Sequence, residues 1–425
     1  IVFRPNFTNE LLIGSDGGVS YSDNAGDNGV SAPNFSDRNL GYNITQFYAC
    51  AIRNEAGSNN FLAGAQDNGT QRYSQAGINA TTEVTGGDGA FCFIDQNNGN
   101  RQITSYVYNN YYRSTNGGSS FSTLTSSNTG QFINPADLDD RDVNTSILYS
   151  SSATNQYRYY DLINGSSQQI VTASIGGSSV SAIKARTSTA NRIFLGTFNG
   201  GVYMVENANT ASPTVTNIGS GITTVGTVSS IDVSGANDNN IVVTYSNYGV
   251  KSVWYTTNGG ANWTSKDETG YGLPDMPVRW VLINPSNSQQ VLLATELGVW
   301  STNDITATNP DWQPSNQSLA NVRCDMLKYR TADKLVAVAT HARGLYTSDV
   351  FQDMPAPQAL PATSITANSF TANWTTVTGS GISYRLDVAT DNNFTNMVSG
   401  YNNVTVNGTS LNVTGLTQAT IYYYR

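Results

Sequence analysis

Charged side chains make up only 12% of this 425-residue chain, so the few that fall in glycine-rich turns carry weight. Asp16 stands in SDGGVSY and Asp88 in TGGDGA, while Asp67, Asp275 and Glu296 occupy other short connections, and His341 shares a turn with Arg343 in THARGLY. Two carboxylates across a cleft are what glycoside hydrolysis requires, one as acid and the other as base or nucleophile. Asp16 and Asp88 are therefore the candidate catalytic pair if the chain is an enzyme. Asp67, Asp275, Glu296, His341 and Arg343 are candidate ligand-binding residues. Two plainer readings stand beside these: an acidic turn can take Ca²⁺, and an aspartate can close its own turn by accepting backbone N–H bonds. His341 is the sole histidine, which excludes a multi-histidine metal centre, and with Arg343 it also reads as a rim residue. No other cofactor is implied.

The turns recur because the chain repeats. Strand-turn-strand units such as LLIGSDGGVSYS, RIFLGTFNGGVYMV, VLLATELGVWST and LVAVATHARGLYTS return eight times within residues 1–350. Measured between Tyr21, Tyr73, Tyr112, Tyr160, Tyr203, Tyr255, Trp300 and Tyr346, the interval is about 46 residues, the size of a four-stranded blade. Such a blade cannot bury both faces alone and must stack on its neighbours. The expected fold is all-β: a β-propeller of seven or eight blades over residues 1–353. In an up-and-down unit, the connections from strand 2 to 3 and from strand 4 to the next unit share one face, which gathers the candidate residues there. If the eight units close on themselves, the eighth lies beside the first, and Asp16, Asp67, Asp88, His341 and Arg343 meet on one arc.

Two turns on the opposite face carry a recognisable pattern. Ser114, Asn116, Gly118 and Phe121 in STNGGSSF, and Thr256, Asn258, Gly260 and Trp263 in TTNGGANW, fit (S/T)x(D/N)xGxx(W/F). The Asx side chain can close the turn, glycine can take positive φ, and the aromatic can pack between sheets. Degenerate copies read at Ser22 with Asn24, and at Ser301 with Asn303 and Trp312. The pattern resembles the Asp-box, or BNR, repeat of sialidases, sortilin-type receptors and xyloglucanase-like glycosidases, in most of which the box is structural. Across residues 11–350, runs such as GAQDNGTQ, TGGDGAFCFID and ATHARGLYTSD resemble BNR-type propellers of large secreted proteins of gliding bacteria. That resemblance implies a secreted or cell-surface location and export by type IX secretion. The contexts of Asp16 and Asp88 loosely resemble those of the xyloglucanase-like catalytic aspartates. Sialidase chemistry is not matched, because Phe3-Arg4-Pro5 is only a fragment of the expected Arg-Ile-Pro motif.

Composition narrows the partners. A net charge of −9 and a pI near 4.6, with no basic run, argue against nucleic acid, which needs clustered Lys and Arg. No apolar run is long enough for a transmembrane helix. Cys50, Cys92 and Cys324 sit among apolar residues and read as buried free thiols.

After Phe351 the prolines Pro355, Pro357 and Pro361 mark a stiff linker over 354–361. From 362 to 425 the chain resembles a fibronectin type III domain, an immunoglobulin-like β-sandwich, on Thr371-Ala372-Asn373-Trp374, on Tyr384 to Val388, and on a Leu416–Tyr422 corner in which Gln418 replaces the usual proline. The sandwich is expected to be incomplete, and the chain to be a fragment of a larger protein. The reading is a binding or adhesion module for a glycan or surface protein. Its alternatives are a glycoside hydrolase of xyloglucanase-like type and a structural subunit of a surface assembly.

Overall fold

The apolar runs FLAGA, ILYSS, IFLGT and VLLAT are too short for a buried helix, and most are rich in branched or aromatic residues. In the computed structural model they form strands Phe61–Ala65, Ile147–Ser151, Ile193–Thr197 and Val291–Thr295, each buried along its whole length. The structure describes all residues except 16–17, 27–31, 40, 43, 166–168, 236, 352–356 and 378–381. The described residues contain strands and no α-helix, so no helix is long and apolar enough to cross a membrane. They fall into two compact units, Ile1–Ser348 and Asp349–Arg425.

Among the described residues of the first unit, eight sheets follow one another, seven of four strands and a last one of three, each an antiparallel meander. No sheet closes on itself; the sheets meet through their first strands. From the second sheet onward these are Phe47–Ile52, Phe93–Ile94, Ala136–Asp139, Val180–Lys184, Val228–Ser234, Val278–Ile283 and Cys324–Arg330. Serine hydroxyls tie neighbouring sheets: Ser181 Oγ and Ser229 Oγ of two first strands donate to Val228 O and Val278 O of the next, at 2.7 and 2.6 Å, and Ser151 Oγ, from the second strand of the fourth sheet, donates to Val180 O at 2.9 Å. The third and fourth sheets share a core of Phe93, Ile103, Leu138 and Leu148.

The run of contacts returns from the eighth sheet to the second, whereas the repeat count suggested the first. Packing accounts for the difference. Met326, Ala337 and Ala339 of the eighth sheet share a core with Phe47, Ala49, Cys50 and Ala63 of the second. At the edges, Arg330 donates to Ser58 O at 2.6 Å, Gly57 N to Asp333 Oδ2 at 2.9 Å and Gly344 N to Thr45 O at 3.2 Å. In the first sheet the equivalent second strand, Leu11–Ser15, is buried only at Leu11, and Leu12 is 44% exposed.

The second unit pairs Ala359–Thr363, Ser369–Trp374 and Ser410–Thr414 in one sheet, with Tyr384–Leu386 against Val404–Val406 and Val388–Ala389 against Tyr423–Tyr424. Its core holds Phe370, Trp374, Tyr384, Leu386 and Val413. Tyr422 Oη accepts the Thr417 N–H at 2.8 Å, closing the corner beside Leu416. Of the expected linker, 354–356 lie outside the described residues, while Ala359 to Pro361 belong to a strand. That strand is at a sheet edge and changes register between Leu360 and Thr363, where a proline is tolerated.

Candidate functional site

The seam between the second and eighth sheets assembles a set of polar side chains near the 2-to-3 turns. His341 forms an isolated bridge with Gln46 and donates its backbone N–H to Arg323 O at 2.8 Å. Its Nδ1 stands 3.6 Å from Asp325 Oδ2, and both atoms are buried without a hydrogen-bond partner. Asp325 Oδ1 accepts from Arg323 Nε and Nη2 at 2.9 and 2.6 Å. The Tyr48 ring lies 6.0 Å from the His341 ring, and its hydroxyl donates to Gln66 Oε1 at 2.8 Å. Burial first, then the carboxylate of Asp88, with smaller contributions from Asp325 and Asp67, holds the Tyr48 hydroxyl above its ordinary range. Three residues singled out from sequence, Asp67, Asp88 and His341, are thus brought into one neighbourhood around Tyr48.

Within that neighbourhood Asp88 is engaged with a turn. Its Oδ1 accepts the N–H of Asp67 at 3.0 Å, and Asp67 itself has left-handed φ of 56°. The backbone bonds Gly69 N to Gly87 O and Gly89 N to Ala65 O, at 2.6 and 2.8 Å, fasten the same two loops. Asp275 repeats the device, its Oδ1 accepting Gly249 N–H at 2.8 Å. Glu296 pairs with Arg279, whose Nε donates to Oε1 at 2.8 Å. The backbone N–H of Arg343 donates to Thr340 Oγ1 at 3.1 Å. Asp16 lies outside the described residues. The described residues hold no group of three His, Cys, Asp or Glu side chains able to share a metal ion.

The box-like turns carry the bonds that their residue types suggest. Gly118 N donates to Ser114 Oγ at 2.9 Å and Ser120 N to Asn116 Oδ1 at 3.1 Å. Gly260 N donates to Thr256 Oγ1 at 3.2 Å and Asn262 N to Asn258 Oδ1 at 2.9 Å. Trp263 Nε1 reaches Ile218 O of the preceding sheet at 2.7 Å, and Phe121 is half-buried. In the seventh sheet the turn begins one residue later than Ser301 and Asn303 suggested. Thr302 pairs with Val291 as Thr256 pairs with Ile241, its Oγ1 accepts Asp304 N–H at 3.1 Å, and Trp312 Nε1 reaches Lys266 O at 2.7 Å. The three cysteines are buried and unpaired; burial pushes the thiols of Cys50 and Cys324 up to about 12.

A large cavity toward the other end of the first strands carries no mark in the sequence patterns above. It measures about 820 Å³ and is lined by residues of all seven first strands from the second sheet to the eighth, together with strand 1-to-2 connections. Its carboxylates are Asp137, Asp140, Asp142 and Asp232, and its cations Arg141, Lys184, Arg186 and Lys328. Lys184 Nζ pairs with Asp232 Oδ1 at 2.7 Å and Arg186 Nη1 with Asp140 Oδ1 at 3.3 Å. Lys328 Nζ reaches to 3.8 Å from Asp137 Oδ1 and hangs 5.4 and 5.5 Å from the Trp280 and Phe93 ring centres. Burial would lower Lys184, but Asp232 and Asp137 outweigh it and hold the ammonium above its ordinary value. A signal was available: Lys184, Asp232 and Lys328 place a charge at one repeat position of the first strands, opposite Phe194, Val242 and Ala337.

A search of curated proteins finds no match to the chain. The fibronectin type III domain family does match, at residues 355–425, the stretch that folds as the sandwich with the Tyr422 corner. The chain therefore carries a fibronectin type III domain at 355–425, a module common in adhesion and binding segments of surface proteins.

Proposed function

We propose that the first unit is a seven-bladed β-propeller of the Asp-box type, and that the chain is a secreted or surface-attached module that binds a glycan or a surface protein. The succession of four-stranded meanders, the return of contacts from the eighth sheet to the second and the box-like turns support the propeller reading. One observation carries the binding reading. The seam cluster beside Tyr48 holds two buried polar atoms without a hydrogen-bond partner, Asp325 Oδ2 and His341 Nδ1, whereas Asp88 is bonded to the turn it faces. A carboxylate that fastens one loop to another is suited to shaping a surface. A hydrolase would need it opposed to a second acid across a cleft.

The test is retention of the protein on immobilised glycans and on isolated cell-surface protein, compared for the wild type, Tyr48→Phe and His341→Gln. The expected outcome is a loss of about tenfold or more in affinity for both variants. Release of reducing ends from xyloglucan that disappears with Asp88→Asn would replace the binding reading with the hydrolase. Stable co-purification with one protein partner, with no glycan retained, would make the chain a structural subunit.

A further inference from the structure

The cavity at the far end of the first strands is a cup whose floor is built from paired charges. Lys328, from the eighth sheet, extends to Asp137 of the fourth, and beside it Lys184 and Asp232 join the fifth to the sixth. The two floor carboxylates are fixed from behind. Asp137 Oδ2 accepts Ala185 N–H at 2.9 Å and Asp232 Oδ2 accepts Ile283 N–H at 2.7 Å, so each directs its other oxygen to the floor cation. Both residues are more than nine-tenths buried. Lys328 has no equally close partner: at 3.8 Å its carboxylate lies beyond hydrogen-bonding distance. Aromatic wall is supplied by Trp280 and Phe93.

The charge pattern selects the ligand class. Four carboxylates and four cations line the cup, so a ligand with net charge of either sign meets as much repulsion as attraction. A hydroxyl both donates and accepts, and can satisfy a lysine and an aspartate together. The aromatic walls suit a molecule with an apolar face as well as polar edges. We propose that this cup binds the end of a neutral, hydroxyl-rich oligosaccharide, with Lys328 and Asp137 bonding its hydroxyls and Trp280 packing on a sugar ring. The site is distinct from the seam cluster and goes beyond the binding-module reading.

The experiment uses the full chain labelled with ¹⁵N, titrated separately with cellotetraose, maltotetraose and mannotetraose, with tetragalacturonate and glucosamine tetramer as charged comparisons. Six tryptophans give six indole signals, and Trp280→Phe identifies one. At least one neutral tetraose is expected to shift the Trp280 signal. Its affinity, by calorimetry, should fall about tenfold in Lys328→Met, and severalfold in Arg186→Gln at the exposed rim, a change that leaves the buried floor intact should Lys328→Met fold poorly. The proposal is overturned if no neutral tetraose moves that signal at about 10 mM, or if a charged tetramer binds more tightly. A titration that responds to His341→Gln and not to the cup variants also overturns it, by placing the sugar at the seam, and leaves the binding-module reading standing.

Discussion

Asp140 shows how far a single residue departs from what its type suggests. Burial pushes its carboxyl up to about 6, against the opposing pull of Arg186 and the Gln96 N–H. In the unfolded chain the group titrates near 3.8, so between those values the folded protein holds the proton more tightly. Stability linked to Asp140 is therefore fully present below about pH 4 and is lost as the pH rises through about 6. Asp140→Asn removes that dependence. Urea unfolding at pH 4 and pH 7 should show the wild type losing of order 2–3 kcal/mol relative to the variant across this span. An unchanged difference would mean that Arg186 keeps the carboxylate ionised throughout. At this scale the sequence was legible in part. The turn aspartates were visible because glycines flank them, whereas Asp140 reads as one of three acids in an ordinary DLDD run, and only its depth sets its behaviour.

At the scale of the element, the box-like turns are where sequence and structure agree most closely, because the bonds that close them are local. The two glycines differ nonetheless. Gly260 has φ of 91°, and an added Cβ would meet Ile218 O and Ile218 Cβ at 2.7 Å. Gly118 has φ of 82°, but its Cβ would meet the end of the Gln102 side chain, which can swing away. Gly260→Ala is expected to cost roughly 2–4 kcal/mol in chemical denaturation and Gly118→Ala about 1–2 kcal/mol. Equal losses would show that the backbone conformation alone matters. The one-residue shift of the seventh turn to Thr302 and Asp304 was not legible. Ser301-Thr302-Asn303-Asp304 offers the same residue types in both frames, and the pairing of Thr302 with Val291 decides between them.

The seam between the second and eighth sheets belongs to the first unit as a whole. The second and eighth sheets share a core and several edge bonds, while among the described residues the first sheet shares no such core and exposes Val2, Phe3 and Leu12. Removing residues 1–44 should therefore leave a cooperative calorimetric transition within a few degrees of the parent. Removing 324–348 strips the partner from Phe47, Ala49 and Cys50 and should abolish that transition. If both deletions melt alike, the seam does not hold the unit together. The cup is a property of the same scale, since no single sheet carries more than a fraction of its wall.

By itself the sequence determined the strands, their interval, the turn chemistry and the sandwich at the end of the chain, because alternation, glycine positions and Asx bonding act within a few residues. The tertiary structure alone decided which sheet meets the eighth, and which charged residues come together. All eight units look alike in sequence, and burial of Phe47 against Met326 and Ala339 selects the second as the partner. Asp137 and Lys328, about 190 residues apart, become neighbours only when seven first strands converge, and no local pattern of bonding records that distance.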